Sequence, residues 1–161
     1  MFNKKLIFIS YNNKERLLAE RLHYWFQQIF GDFVDIFLDK KNISSGENWL
    51  ELIENALDSA IMLCVIAGPN SLQERWINLE IGLFWKSKKP ISFLCHSGLM
   101  PDNLEMPYKM SQSNDLSDYS SFKELIYDIS KKHLQIHLPP LDFITIHKDI
   151  EFTIKSINKD C

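Results

Sequence analysis

Three absences narrow the field before any motif is read. The first is an excess of basic charge: 18 Lys and Arg stand against 21 Asp and Glu, a formal net charge of −3. A phosphate backbone is gripped by a basic face, so nucleic acid is not expected as the main partner. The second is a long apolar run; the longest are strand-sized, far short of the ~20 residues that cross a bilayer. The stretch Met1 to Ile9 has the outline of a signal peptide. Its apolar run is too short for an h-region, however, and polar Tyr11-Asn12-Asn13-Lys14-Glu15 follows at once. No membrane association is expected. The third scarcity is cysteine. Cys64 and Cys95 lie in apolar runs and Cys161 is terminal, without metal-ligand spacing, which fits a reducing compartment. His133 and His137 are followed by Pro139 and have no evident third ligand, so they read as a surface pair rather than a metal site. What is there is an ordinary cytoplasmic globular balance: 161 residues, 45% apolar and 24% charged, enough for one buried core.

Apolar runs alternate with helical periodicity, the pattern of an α/β fold with a parallel sheet. Leu6 to Ile9 is the first strand. Leu18, Leu22, Trp25 and Ile29 mark a helix that Gly31 ends, and Phe33 to Leu38 is the second strand. A polar loop, Asp39 to Gly46, leads to a helix with Trp49, Ile53 and Leu57 on its core face and a capping box from Ser44 to Glu47. Ile61 to Ala67 is continuously apolar, as a strand buried on both faces requires. After the turn Gly68-Pro69-Asn70-Ser71 a third helix spans roughly 72–87. Ile91 to Cys95 is the fourth strand, and a long loop with Pro101 and Pro107 precedes a fifth near 110–116. Phe122 to Lys132 is the next helix. The order implies a flavodoxin-like, doubly wound five-stranded parallel sheet, 2-1-3-4-5. Such sheets bind ligands beyond the carboxyl ends of their strands, here the loops from Ser10, Asp39, Gly68 and His96. Pro139-Pro140 closes the pattern, giving a domain over 1–134. The segment 135–161 follows, a short appended helix carrying Phe143, Ile146, Ile150, Ile154 and Ile157 behind a cap at Asp142. It is expected to pack on the domain or on a second copy.

One carboxylate breaks the binary pattern. At about 100° per residue the solvent arc of the third helix holds Arg75, Asn78, Gly82 and Lys86. Glu80 falls on the other side, one turn after Trp76 and one turn before Phe84. An ionised carboxylate among aromatic rings is costly unless something pairs with it. One reading keeps Glu80 at the helix edge, reaching water or Lys88; the other makes it functional.

Phe8-Ile9-Ser10-Tyr11, Phe37-Leu38-Asp39 with its loop to Gly46-Glu47, Gly68-Pro69-Asn70-Ser71, and Trp76-x-x-x-Glu80 resemble the successive motifs of TIR (Toll/interleukin-1 receptor) domains. Ser113-Asn114-Asp115-Leu116 resembles bacterial members, of the stand-alone type found in antiphage defence. The likeness spans roughly residues 4–134. It implies an NAD+ nucleosidase or ADP-ribosyl cyclase with Glu80 as catalytic residue, and NAD+ as substrate rather than cofactor. It further implies substrate contacts from Ser10, Tyr11, Asn12, Asp39, Asn42, Trp49 and Trp76, and homo-oligomers formed through TIR–TIR contacts. Read from the residues alone, Ser10, Tyr11 and Asn12 also suit a simple turn, Trp49 suits the core better than a ligand, and Lys40 and Lys41 suit solvent.

Two departures from the family pattern stand out. Ser45 occupies the place of a proline common in receptor-type members, which weakens the alternative of a non-catalytic interaction module. Asn12 and Asn13 stand where many enzymatic relatives carry a basic residue. Other folds of this architecture are disfavoured by the loops. A phosphorylated receiver would need acidic residues where Ser10-Tyr11 and Ala67-Gly68 stand, and a flavin site would need a Ser/Thr/Gly-rich loop in place of Asn12-Asn13-Lys14-Glu15.

Overall fold

The computed structural model describes residues 3–38 and 48–159. Five strands, β1 (Lys5–Ser10), β2 (Val34–Leu38), β3 (Ala60–Ala67), β4 (Ile91–Cys95) and β5 (Gln112–Asp115), form one sheet in the order β2-β1-β3-β4-β5. Every pairing is parallel. The helices are α1 (Arg16–Phe30), α2 (Trp49–Ser59), α3 (Arg75–Trp85), α4 (Tyr119–Asp128) and α5 (Phe143–Lys159). This is the flavodoxin-like fold that the alternation of runs implies.

Strand alternation divides the core in two. Ile7, Ile9, Met62, Cys64, Ile66 and Leu94 face one side, packed with apolar residues of α1, α4 and α5. Phe8, Leu63, Val65, Ala67, Phe93 and Cys95 face the other, against Ile53 and Leu57 of α2 and Ile77, Ile81 and Phe84 of α3. Burial from Met62 to Ala67 is therefore complete on both faces, which is why β3 is one continuous apolar run. The same desolvation pushes the thiols of Cys64 and Cys95 up to about 12, with Asp115 adding to the effect at Cys95.

Element boundaries depart from the periodicity where side chains compete for backbone groups. The third helix does not begin at Leu72. Ser71–Gln73 form a 3₁₀ turn, Glu74 is extended, and α3 starts at Arg75. Asn78 is not simply in solvent: its Nδ2 donates to Leu72 O at 2.7 Å and Glu74 O at 3.0 Å, clamping this break. The capping box from Ser44 to Glu47 lies outside the described residues; α2 is capped instead by Asn48, whose side chain accepts from Glu51 N. Gly31–Phe33 form a 3₁₀ turn, so β2 begins at Val34. Gly31 has φ +59, the left-handed backbone that glycine adopts at least cost. The helix after β5 starts earlier than its apolar face suggests, because Asp118 caps it through Ser121 N.

The carboxy-terminal segment is more than a short appendage. α5 is 17 residues long and is capped by Asp142, which accepts from Thr145 N at 3.1 Å. Its Ile146, Ile150, Ile154 and Ile157 are buried in the same cluster as Leu18, Leu22 and Phe26 of α1. Asp149 Oδ2 accepts from Arg21 Nε and Nη2 at 2.8 and 2.6 Å and from Trp25 Nε1 at 2.7 Å. The segment packs on the sheet domain through α1. Among the described residues no helix is long and apolar enough to cross a membrane.

Because Ile150 is fully buried, Ile150→Ala is expected to lower the unfolding free energy by about 2–5 kcal/mol. Urea denaturation of wild type and variant checks this. An unchanged midpoint would mean that α5 does not belong to the cooperative core.

Candidate functional site

Among the described residues two carboxylates are buried, Glu80 on α3 and Glu15 just before α1. Glu80 is 0% exposed, on the inward face of α3 with Ile77, Ile81 and Phe84. It does not sit at the helix edge reaching water. Trp76, one turn earlier, packs against the same cluster, and so does Trp49 from the start of α2. The two indoles stack with centroids 4.0 Å apart and planes inclined by 26°. Trp49 is thus neither plain core nor isolated ligand: it is half of an aromatic pair beside the Glu80 face. Its Nε1 is buried with no hydrogen-bond partner among the described residues.

Ser10 ends β1 two residues after Phe8, and strand alternation turns it to the same side as α2 and α3. It is fully buried, and its Oγ has no partner among the described residues. A buried hydroxyl left in this way costs free energy, which a ligand reaching it would recover. Ser10, Trp49, Trp76 and Glu80 therefore belong to one face of the sheet. Tyr11 is carried to the opposite face and packs in the cluster of α1 and α5. Asn12 serves the backbone: its Oδ1 accepts from Lys14 N at 3.0 Å, its own N–H donates to Glu15 Oε2 at 3.3 Å, and its Nδ2 donates to Glu74 Oε1 at 3.3 Å. Asp39, Asn42, Lys40 and Lys41 lie outside the described residues.

The second carboxylate, Glu15, was not singled out by periodicity or motif, although the spacing Asn12-x-x-Glu15 is a legible capping box. One oxygen completes that box. The other, Oε1, lies 2.8 Å from His96 Nε2, accepts from Gly68 N at 3.2 Å and accepts the Ser71 hydroxyl. Gly68 N also reaches Ser71 Oγ at 2.8 Å. This cluster joins the loops after β1, β3 and β4, and glycine at 68 is required by contact. A Cβ there would stand 2.7 Å from Glu15 Oε1 and 2.8 Å from His96 Cε1.

Residues 7–126 match the sequence model of the TIR domain family. No curated protein matches the sequence. Among solved structures, the chain is similar to the TIR domains of the activated Roq1 resistosome directly recognising the pathogen effector XopQ. The TM-score is 0.52 at 12% identity, covering 96% of this chain and 84% of that one. A 2-desoxiribosyltransferase from Leishmania mexicana gives a TM-score of 0.49 at 14% identity, covering 76% of this chain and 97% of that one. The family match over residues 7–126, joined to the 2-1-3-4-5 sheet and the Trp76–Glu80 helix, identifies the chain as a member of the TIR domain family.

Proposed function

We propose that this TIR domain cleaves the nicotinamide–ribose bond of NAD+, with Glu80 as its catalytic carboxylate. The observation that carries the reading is the complete burial of Glu80 on the helix face it shares with Trp76. A carboxylate withdrawn this far from water has to be held by specific interactions, and carboxylates so placed cluster at functional sites. The chemistry needs only one such group. Ordinary glycosidases require an acid for the leaving oxygen and a second carboxylate opposite. Nicotinamide already carries positive charge in NAD+ and departs neutral, so no acid is needed. What remains is to hold the ribose and stabilise the oxocarbenium-like transition state. A carboxylate in a low-dielectric pocket does this well, since its field is little screened there.

The ribosyl cation is captured by water, giving ADP-ribose, or by an adenine nitrogen or ribose hydroxyl, giving a cyclic nucleotide. The Trp49–Trp76 stack bears on that choice, because cyclisation requires the adenine to fold back over the ribose. Ser10 at the end of β1 is assigned to the substrate. Asp39 and Asn42, from the loop between β2 and α2, are assigned to it by family likeness alone. A role in bacterial antiphage immunity, a cytoplasmic location and assembly through TIR–TIR contacts belong to the same proposal. The structurally similar TIR domains of the Roq1 resistosome support assembly as a property of related domains.

Three outcomes are expected. Glu80→Gln abolishes nicotinamide release while circular dichroism and the melting transition stay near wild type; release at the wild-type rate in the folded variant would sink the assignment and leave a non-catalytic interaction module. Specific activity rises with protein concentration as light scattering reports monomer converting to oligomer, and a flat profile across that conversion counts against a shared site. Trp76→Ala moves products from any cyclic nucleotide towards ADP-ribose, with total nicotinamide release falling less. Base stacking of about 1–3 kcal/mol shifts such a ratio roughly ten-fold. Quantifying both products by chromatography and mass spectrometry decides it: a proportional fall in both makes Trp76 a packing residue.

A further inference from the structure

A second set of reactive groups lies away from Glu80. At the carboxyl ends of β1, β3 and β4, a cavity of about 310 Å³ is lined by residues that include Lys14, Glu15, Gly68, His96, Ser97 and Asn158, and by none of Glu80, Trp49 and Trp76. His96 and Glu15 are 3% and 5% exposed. Glu15 Oε1 lies 2.8 Å from His96 Nε2, and His96 Nδ1 lies 2.6 Å from Ser97 Oγ. Side chains alternate along a strand, so neighbours rarely meet. Here β4 has ended, and Ser97 takes φ +55, a left-handed conformation uncommon for residues other than glycine, asparagine and aspartate. That turn folds its hydroxyl back onto the imidazole.

From this geometry we infer that Ser97 is a nucleophile for acyl transfer, activated by His96 and positioned through Glu15, acting on esters of short polar carboxylic acids. The roles follow from the hydrogen bonds. With Nε2–H donated to Glu15 Oε1, the lone pair of Nδ1 faces Ser97 Oγ, so the ring is oriented as a base. The Ser97 hydroxyl donates to Asn158 Oδ1 at 2.9 Å; rotating to Nδ1 places its proton on the base. In the reaction, Ser97 Oγ attacks the ester carbonyl carbon and its proton passes to Nδ1. The bond to the alcohol oxygen breaks, and the alcohol leaves with that proton. Water then gives a proton to Nδ1 and attacks the acyl-serine, and Ser97 Oγ departs and recovers the proton. The net change is ester plus water to acid plus alcohol. Lys14 on the cavity wall supplies positive charge for the developing oxyanion, and the cavity has room for a short acyl group.

The probe is a fluorophosphonate, whose fluoride is displaced as Ser97 Oγ bonds to phosphorus. Intact mass and peptide mapping should place one adduct on Ser97 of the wild type. Ser97→Ala should carry none, with nicotinamide release unchanged, and His96→Asn should label at least ten-fold more slowly. With p-nitrophenyl acetate, Glu15→Gln should lower kcat while leaving KM in place, as expected of a positioning residue. Should the His96 or Glu15 variant melt early, Ser97→Cys keeps the test open. Iodoacetamide should alkylate that thiol at least ten-fold faster with His96 present than with Ser97→Cys and His96→Asn combined. Absence of a Ser97 adduct in the wild type, or equal rates with and without His96, would overturn the proposal and leave the cluster a structural tie between loops.

Discussion

The burial of β3 on both faces is the constraint from which the rest of the molecule follows. A strand with no solvent side must be flanked by strands on both edges and helices on both surfaces, and parallel pairing with β1 and β4 meets that demand. Parallel strands end together, so the loops after β1, β3 and β4 are delivered to one edge of the sheet. The polar and reactive groups cluster there because strands so apolar have no other place to carry them. Hydrogen bonds between the loops hold the edge in register, His96 N to Ala67 O at 3.1 Å and Leu116 N to Cys95 O at 2.8 Å among them.

The two buried glutamates sit in different surroundings. Glu15 closes its own capping box and gathers a backbone N–H, a hydroxyl and an imidazole from the loops after β3 and β4. Multiple donors compensate the loss of water and make the group a tie between loops. Glu80 lies across the sheet on a helix face otherwise occupied by isoleucine and phenylalanine. The difference comes from position: Glu15 is at a helix start amid loop ends, and Glu80 is at the middle of α3 on its inward face.

α5 completes the α1 side of the core. Its isoleucines join the cluster that holds Leu18, Leu22 and Phe26, and its Asp149 carboxylate bridges Arg21 and Trp25. The last turn of the same helix carries Asn158, beside Ser97 on the wall of the cavity. The segment after Pro139-Pro140 thus supports the sheet and one of its functional loops.

The sequence by itself determined the strands, the helices and the place of Glu80 on the inward arc of its helix, because these rest on periodicity, and periodicity is local. That Glu80 is fully buried rather than at the helix edge was decided by the tertiary structure. Period-two and continuous apolar runs marked the strands, and the angle between Trp76, Glu80 and Phe84 on a helix followed from 100° per residue. The TIR motifs carried the family on the same local evidence. Only the tertiary structure decided which side chains meet. Tyr11 follows Ser10 directly yet crosses to the other face, Trp49 joins Trp76 across two helices, and Glu15 meets His96 from a position 81 residues earlier. Helix starts also escaped the pattern, since Asn48 and Asp118 cap two of them and Asn78 clamps the break before a third, through hydrogen bonds that hydrophobic spacing does not record. Apolar burial is written into each segment separately. A polar contact between segments exists only once the sheet has brought their ends together.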